Sequence, residues 1–335
     1  MERDRRVPAP LKRCLLGFAA LLAVEACQRS SLATPRRAPI IDLTANRQVV
    51  GVAETRRILF GDGDRSQLLD GWSVDERDPS LGLTFVWATA LEASLSFQLL
   101  QVEDEQFLVK LSPFGVEPPQ TITVLINGAE VSRFTAQPPF LEYRFVAPAA
   151  FLHRGENRLT FRHSELAGRA DGLESRRFAA AYSSIYMGPQ CLPLRGWGFP
   201  PRPRVRREGD SSSSRLVVIG PAAIRRRLRV PQAALLRYRL ALTDPTHAAA
   251  IATLRIRDGD TTRDVVETRL SRSLFDRAPS RDVEVDLTPW KEKTVELELE
   301  VRPELCRYQV TRVVIERAGI YYAEHGRGDV AGEPG

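Results

Sequence analysis

Four cysteines, four histidines, two methionines and four lysines are all that 335 residues hold of those types. The sequence has no HExxH and no paired CxxC, so it lacks the common zinc signatures. It also has no GxxxxGK[ST], no GxGxxG and no GxSxG, which leaves nucleotide binding and serine-hydrolase chemistry without a motif. No apolar run approaches the roughly 20 residues a membrane-spanning helix needs. Lysine is so scarce that the basic charge is almost entirely arginine, 48 Lys and Arg against 42 Asp and Glu. The net charge of +6 is mild and gives no pointer to nucleic acid.

Residues 1–13 carry five basic side chains, and the apolar stretch Cys14–Val24 follows. Eleven residues suit the hydrophobic region of a signal peptide. The stretch ends in Val24-Glu25-Ala26-Cys27. A small residue before a cysteine at this place resembles the lipobox of bacterial lipoproteins, although Glu25 departs from the pattern, and ordinary signal-peptidase cleavage is the alternative. The resemblance implies that Cys27 is lipidated and becomes the mature N-terminus. Gln28 in place of an aspartate implies the outer membrane; the alternative is a periplasmic or secreted protein. Without residues 1–26, which hold five basic and three acidic groups, the charge falls from +6 to +4. In an oxidising compartment Cys191 and Cys306 can form a disulfide. The alternative is two buried thiols.

The body reads as short extended segments. Leu83–Ala88, Ala93–Leu99, Phe107–Leu111 and Thr121–Ile126 mix β-branched and aromatic residues with period-two alternation. The last of them meets Asn127-Gly128, a strong hairpin dipeptide. Glu142–Val146, Asn157–Phe161 and Phe178–Met187 continue the series. A second series runs from Leu216–Ile219 through Val310–Ile315, with a turn at Asp258-Gly259. Between the two lies a stretch dense in proline, arginine and serine. The expected organisation is a signal over 1–26, anchor and tether over 27–53, ending in a possible first strand, and a first sandwich over 54–189. A linker over 190–214, a second sandwich over 215–323 and a flexible tail over 324–335 complete it. The expected fold class is all-β, with two antiparallel β-sandwiches in tandem.

Some phrases carry a family likeness. Glu54–Gly61, Leu68–Ser73 and Phe85-Val86-Trp87 resemble non-catalytic regions preceding sulfatase domains in bacterial envelope proteins. Val124–Gly128 and Leu152–Leu159 resemble galactose-binding-domain-like jelly rolls, and Val285–Trp290 is similar to a strand-end phrase of such modules. The likeness implies jelly-roll sandwiches accessory to sugar-active enzymes. Physics gives the same phrases structural jobs. Gly155 can take positive φ at a turn and Asn157 can bond the turn backbone. Leu159 and Phe161 should share a face. Asp286 can cap, Pro289 fixes the exit of the chain and Trp290 can cover a core edge.

Cys191-Leu192-Pro193-Leu194-Arg195 matches the CxPxR core of the sulfatase signature. The match stops there: Pro200 and Pro201 stand where that family has Thr-Gly. The histidines, His153, His163, His247 and His325, with so few lysines, cannot make up its metal and catalytic set. Asp62-Gly63-Asp64 and Asp258-Gly259-Asp260 read as solvated turns rather than cation sites. No cofactor and no metal is expected.

Aromatic residues in loops are the remaining candidates for a ligand, because they can stack on sugar faces. Trp72, beside Asp75 and Glu76, is the foremost; the alternative is a tryptophan plugging one end of a sandwich. Phe140 and Tyr143 follow Pro138-Pro139 and could line a rim. Trp87 should share a face with Phe85, in the core. Arg202–Arg207 reads as a solvated linker that could steer toward anionic polysaccharide, and Arg225–Arg229 as a strand with part of its charge outside. The expected function is a non-catalytic envelope lipoprotein that binds glycan or assists a sugar-active enzyme such as a sulfatase. An assembly protein binding another envelope protein through a sandwich face is the alternative, with a cryptic sulfatase or glycosidase a third reading.

Overall fold

Alternation in Glu105–Pro113 shows how this sequence makes sheet. Phe107, Val109 and Leu111 are fully buried, while the residues between them face the other way. The same rule runs through the computed structural model, which describes residues 38–44, 48–115, 119–168, 176–188, 203–209, 214–243, 249–271, 279–304 and 311–322. Among these residues no α-helix occurs; there are strands and two 3₁₀ turns, Ala149–Phe151 and Thr288–Trp290.

The strands are β1 (Ile41–Asp42), β2 (Val50–Ala53), β3 (Arg57–Leu59), β4 (Glu76–Asp78), β5 (Leu83–Trp87), β6 (Glu92–Leu99), β7 (Glu105–Pro113) and β8 (Gln120–Ile126). They continue as β9 (Ala129–Ala136), β10 (Leu141–Ala147), β11 (Gly155–His163), β12 (Ala167–Gly168), β13 (Arg177–Phe178) and β14 (Ala180–Gly188). Then come β15 (Arg204–Glu208), β16 (Arg215–Gly220), β17 (Ala222–Arg229), β18 (Ala234–Leu242) and β19 (Ala249–Asp258). The last are β20 (Thr261–Ser271), β21 (Ser280–Asp286), β22 (Thr294–Pro303) and β23 (Thr311–Tyr322).

One sandwich packs the sheet β10-β7-β14-β5-β4, with β3 also on β14, against β6-β11-β8-β9. Its core includes Phe60, Leu95, Phe97, Phe107, Phe161 and Tyr182. The other packs β15-β16-β23-β18-β21, with β1 also on β23, against β2-β17-β22-β19-β20, around Leu236, Tyr238, Leu254, Leu299 and Ile315. Neighbouring strands in these sheets are antiparallel, as Phe145 opposite Phe107 and Leu254 opposite Leu299 illustrate.

Two expected boundaries differ from the observed strands. The stretch 27–53 ends in β1 and β2, which belong to the second sandwich: Ile41 lies opposite Ile320 and Ala53 opposite Ala222. Leu43 is buried in that core, with Val49 and Ala53 packed against it. The stretch 190–214 contains β15, paired to β16, and Val205 packs so closely over Gly51 that a Cβ there would lie 2.6 Å from the valine Cβ. β1 and β15 hold one apolar residue each, and β2, the possible strand at the end of the tether, is four residues long, so none of the three has enough alternation to show which sandwich it joins. The first sandwich is therefore inserted between β2 and β15 of the second. Residues 1–26, Cys27, Cys191, Cys306, the CxPxR phrase, Arg202 and the tail, for which the sequence carries expectations, lie outside the described residues.

The joint between the sandwiches is ionic. The outer face of β22 carries Glu298 and Glu300, and Arg154 of the first sandwich reaches both. Gln101 donates to Glu300 at 2.7 Å. Arg225 and Arg255 hold Glu298 from the flanking strands at 2.6 and 3.3 Å. Burial pushes the Glu298 carboxyl up, but Arg154, Arg225 and Arg255 outweigh it and hold it below the usual range. The segment that crosses from β2 to β3 is pinned as well: Arg56 pairs with Glu54 at 2.8 Å and Glu105 at 3.2 Å, all three side chains buried.

Candidate functional site

The loop from Phe60 to Asp75 is laced to β5 and β6 by main-chain bonds. Ser73 N donates to Trp87 O at 2.8 Å, Ser94 N to Asp70 O at 2.8 Å and Thr89 N to Gly71 O at 2.8 Å. Gly71 makes the loop possible. Its φ is +87°, and a Cβ there would sit 2.3 Å from Glu92 O. The turn delivers Trp72 to the rim of the first core. Its ring lies 5.2 Å from Phe60 and 5.1 Å from Tyr182, edge-on to the tyrosine. Trp72 Nε1 donates to Ser94 O at 2.6 Å. Trp72 thus plugs the sandwich and also forms part of a surface cleft.

That cleft has a volume of about 710 Å³. Arg65, Trp72, Asp75, Thr89, Arg176 and Arg177 line it. Asp75 is fixed by Gly63 N at 3.1 Å and by the Arg65 guanidinium, which also donates to Ser73 O at 2.7 Å. Arg177 donates to the Leu166 carbonyl and meets no carboxylate among the described residues. Glu76 stands just behind, accepting from Trp87 Nε1 at 3.2 Å and pairing with Arg176 at 3.6 Å.

Of the expected site residues, Trp72 and Asp75 share the cleft and Glu76 adjoins it. Phe140 and Tyr143 are not brought to it. Phe140 packs on Phe85 at 5.9 Å. Tyr143 lies on the core-facing side of β10, stacked on Phe134 at 4.5 Å, and its hydroxyl accepts from Gln137 N at 2.8 Å. Trp87 does share a face with Phe85, but it is the outer face. Val86 points into the core, and Trp87 joins Phe178 at 5.1 Å and Phe114 at 5.3 Å in a separate aromatic cluster. Alternation assigns two faces without saying which is interior, so this departure could not be seen in the sequence. Arg176 lies 5.2 Å over Phe178, which ties the cluster to the cleft. Arg65, Thr89, Arg176 and Arg177 line the cleft without a sequence pattern that marks them as site residues. An arginine doublet about a hundred residues from the Trp72 loop carries no local sign that the fold brings it there.

Behind Trp72, a buried polar pair supports the wall. The Leu91 carbonyl, 3.2 Å away, can only accept, so His163 Nδ1 carries the proton and Nε2 accepts from the Tyr182 hydroxyl at 2.9 Å. Burial pushes His163 down to about 4 and the Tyr182 phenol well above its ordinary value. Among the described residues no group of three or more His, Cys, Asp or Glu could hold a metal ion. The Asp62–Asp64 turn is closed on itself, with Asp62 accepting from Asp64 N at 3.1 Å and Asp64 from the Ser66 hydroxyl at 2.7 Å.

No protein-family model matches the sequence, and a search of curated proteins finds no match. Among solved structures, the N-terminal CBM22-1–CBM22-2 tandem domain of Paenibacillus barcinonensis Xyn10C aligns at 9% identity, covering 82% of this chain and 98% of that one, with a TM-score of 0.28. A family 35 carbohydrate binding module from Clostridium thermocellum aligns at 15% identity over 42% of this chain and 98% of its own, with a TM-score of 0.25. The Podospora anserina GH26-CBM35 β-(1,4)-mannanase aligns at 14% identity over 45% of this chain and 29% of its own, with a TM-score of 0.28.

Proposed function

We propose that this chain is a non-catalytic glycan-binding protein of the bacterial cell envelope, held at the outer membrane by a lipid on Cys27 and accessory to a sugar-active enzyme such as a sulfatase. The observation that carries the binding part is Trp72. Its ring is wedged by Phe60 and Tyr182, its N–H is satisfied, and it lines an open cleft edged by hydrogen-bonding groups already fixed in place. Such an arrangement suits a sugar, whose ring face stacks on an aromatic while its hydroxyls meet fixed donors and acceptors. Little side-chain freedom is left to lose on binding, which favours affinity.

Recognition without chemistry fits the carboxylates too. Glycoside hydrolysis needs two carboxyl groups flanking one bond. Asp75 is committed to Arg65 and Gly63, and Glu76 to Trp87 and Arg176. Purified protein beginning at residue 28, applied to an array of bacterial and plant polysaccharides, tests the reading. Binding should appear, and Trp72→Phe, which keeps the plug but shrinks the stacking face, should weaken it. An empty array, or binding indifferent to Trp72, would remove the glycan reading.

A further inference from the structure

We infer that the Trp72 cleft selects acidic sugars, chains bearing carboxylate or sulfate groups, through Arg177 with Arg65 and Arg176 beside it; this rests on the glycan reading above. Among the described residues three guanidiniums and one carboxylate line the cleft. The carboxylate, Asp75, is already taken by Arg65. Glu76 lies behind the wall, turned to Arg176 and the Trp87 indole. Arg177 is the group left over. It is exposed, and its one bond among the described residues runs to the Leu166 carbonyl, which neutralises no charge.

A guanidinium is a planar fork of donors that fits the two oxygens of a carboxylate or sulfate side by side. Aromatic contact beside it lets one residue of a chain stack on Trp72 while its acidic group meets Arg177. A neutral chain of the same shape leaves that fork to water and forfeits only the charged contact. Hydrogen bonds to charged groups contribute more than neutral ones, and partial exposure here discounts the gain. The expected preference is about tenfold for the acidic chain over its neutral counterpart.

Matched pairs test this on the whole mature protein. Oligogalacturonate is compared with its methyl-esterified form, and heparin oligosaccharides with their desulfated form, by titration calorimetry. The acidic member of at least one pair should bind about tenfold more tightly, with a gap that shrinks in salt. The pair concerned distinguishes carboxylate from sulfate recognition. Arg177→Gln should bring the acidic-to-neutral ratio close to one, whereas Arg133→Gln, the same charge change on β9, should leave that ratio as it was. Equal affinity for charged and uncharged members overturns the inference and leaves glycan binding standing. So does an Arg177→Gln protein that keeps the preference. Absence of binding to every member of these pairs overturns the inference, and the array separately decides the glycan reading.

Discussion

His163 should make this protein acid-sensitive in a window set by one residue. The imidazole is 3% exposed, sits under the Trp72 plug and accepts the Tyr182 hydroxyl, so it must stay neutral in the fold. Its folded value is pushed from an ordinary 6.5 to about 4 by burial. Above the unfolded value both states are neutral, and the site adds no pH dependence. As pH falls below 6.5 the unfolded chain takes up a proton that the folded one refuses, so stability drops until the folded group also titrates near 4. A shift of that size corresponds to about 3 kcal/mol, a large share of a typical domain's stability. Urea unfolding followed by tryptophan fluorescence at a series of pH values measures it. Comparison with His163→Gln isolates the residue, because an amide can accept from Tyr182 without titrating. The variant should lose about 3 kcal/mol less than the parent across this window. Parallel pH profiles for the two proteins would refute the reasoning.

Other consequences follow from the joint and the loops. Arg56→Ala leaves Glu54 and Glu105 without the guanidinium between them and should cost about 3–5 kcal/mol in urea unfolding; replacing all three by Met, Gln and Gln should recover most of it. Glu298, held below the usual carboxylate range, contributes stability that is present above its ordinary 4.5 and lost as pH falls through its lower folded value. That loss lies at more acidic pH than most of the His163 window, and Glu298→Gln should flatten it in the same unfolding series. Gly71→Ala should destabilise far more than Gly128→Ala in thermal unfolding. Both glycines have positive φ, but a Cβ at 71 meets Glu92 O at 2.3 Å whereas one at 128 meets nothing within 4 Å, leaving strain of about 1 kcal/mol.

Local chemistry was legible wherever a residue type has one reason to be where it is. Asn127-Gly128 does turn β8 into β9, with φ of +50° and +88°. Gly155 takes φ of +106°, and Asn157 bonds His153 N at 3.0 Å and His153 O at 2.7 Å. Asp286 accepts from Thr288 N at 2.8 Å, ahead of the turn that holds Trp290. Long alternating runs such as β7 and β18 announced themselves as half of a buried face. What stayed hidden depends on distance along the chain. Nothing in Val50–Ala53 says that it pairs with Ala222–Arg225 across an inserted sandwich. Nothing in β5 says that Val86 rather than Trp87 faces the larger core. The cleft joins residues 65–75 to 176–177, and such a meeting is a property of the topology alone.

Amide hydrogen exchange, read peptide by peptide with and without the best-binding oligosaccharide, tests the seat of recognition most directly. Slowed exchange should gather in residues 61–75 and in the peptide holding 176–177, while β8 and β9 on the opposite sheet keep their rates. Protection confined to the second sandwich, or to the Phe134–Tyr143 hairpin, would contradict the account.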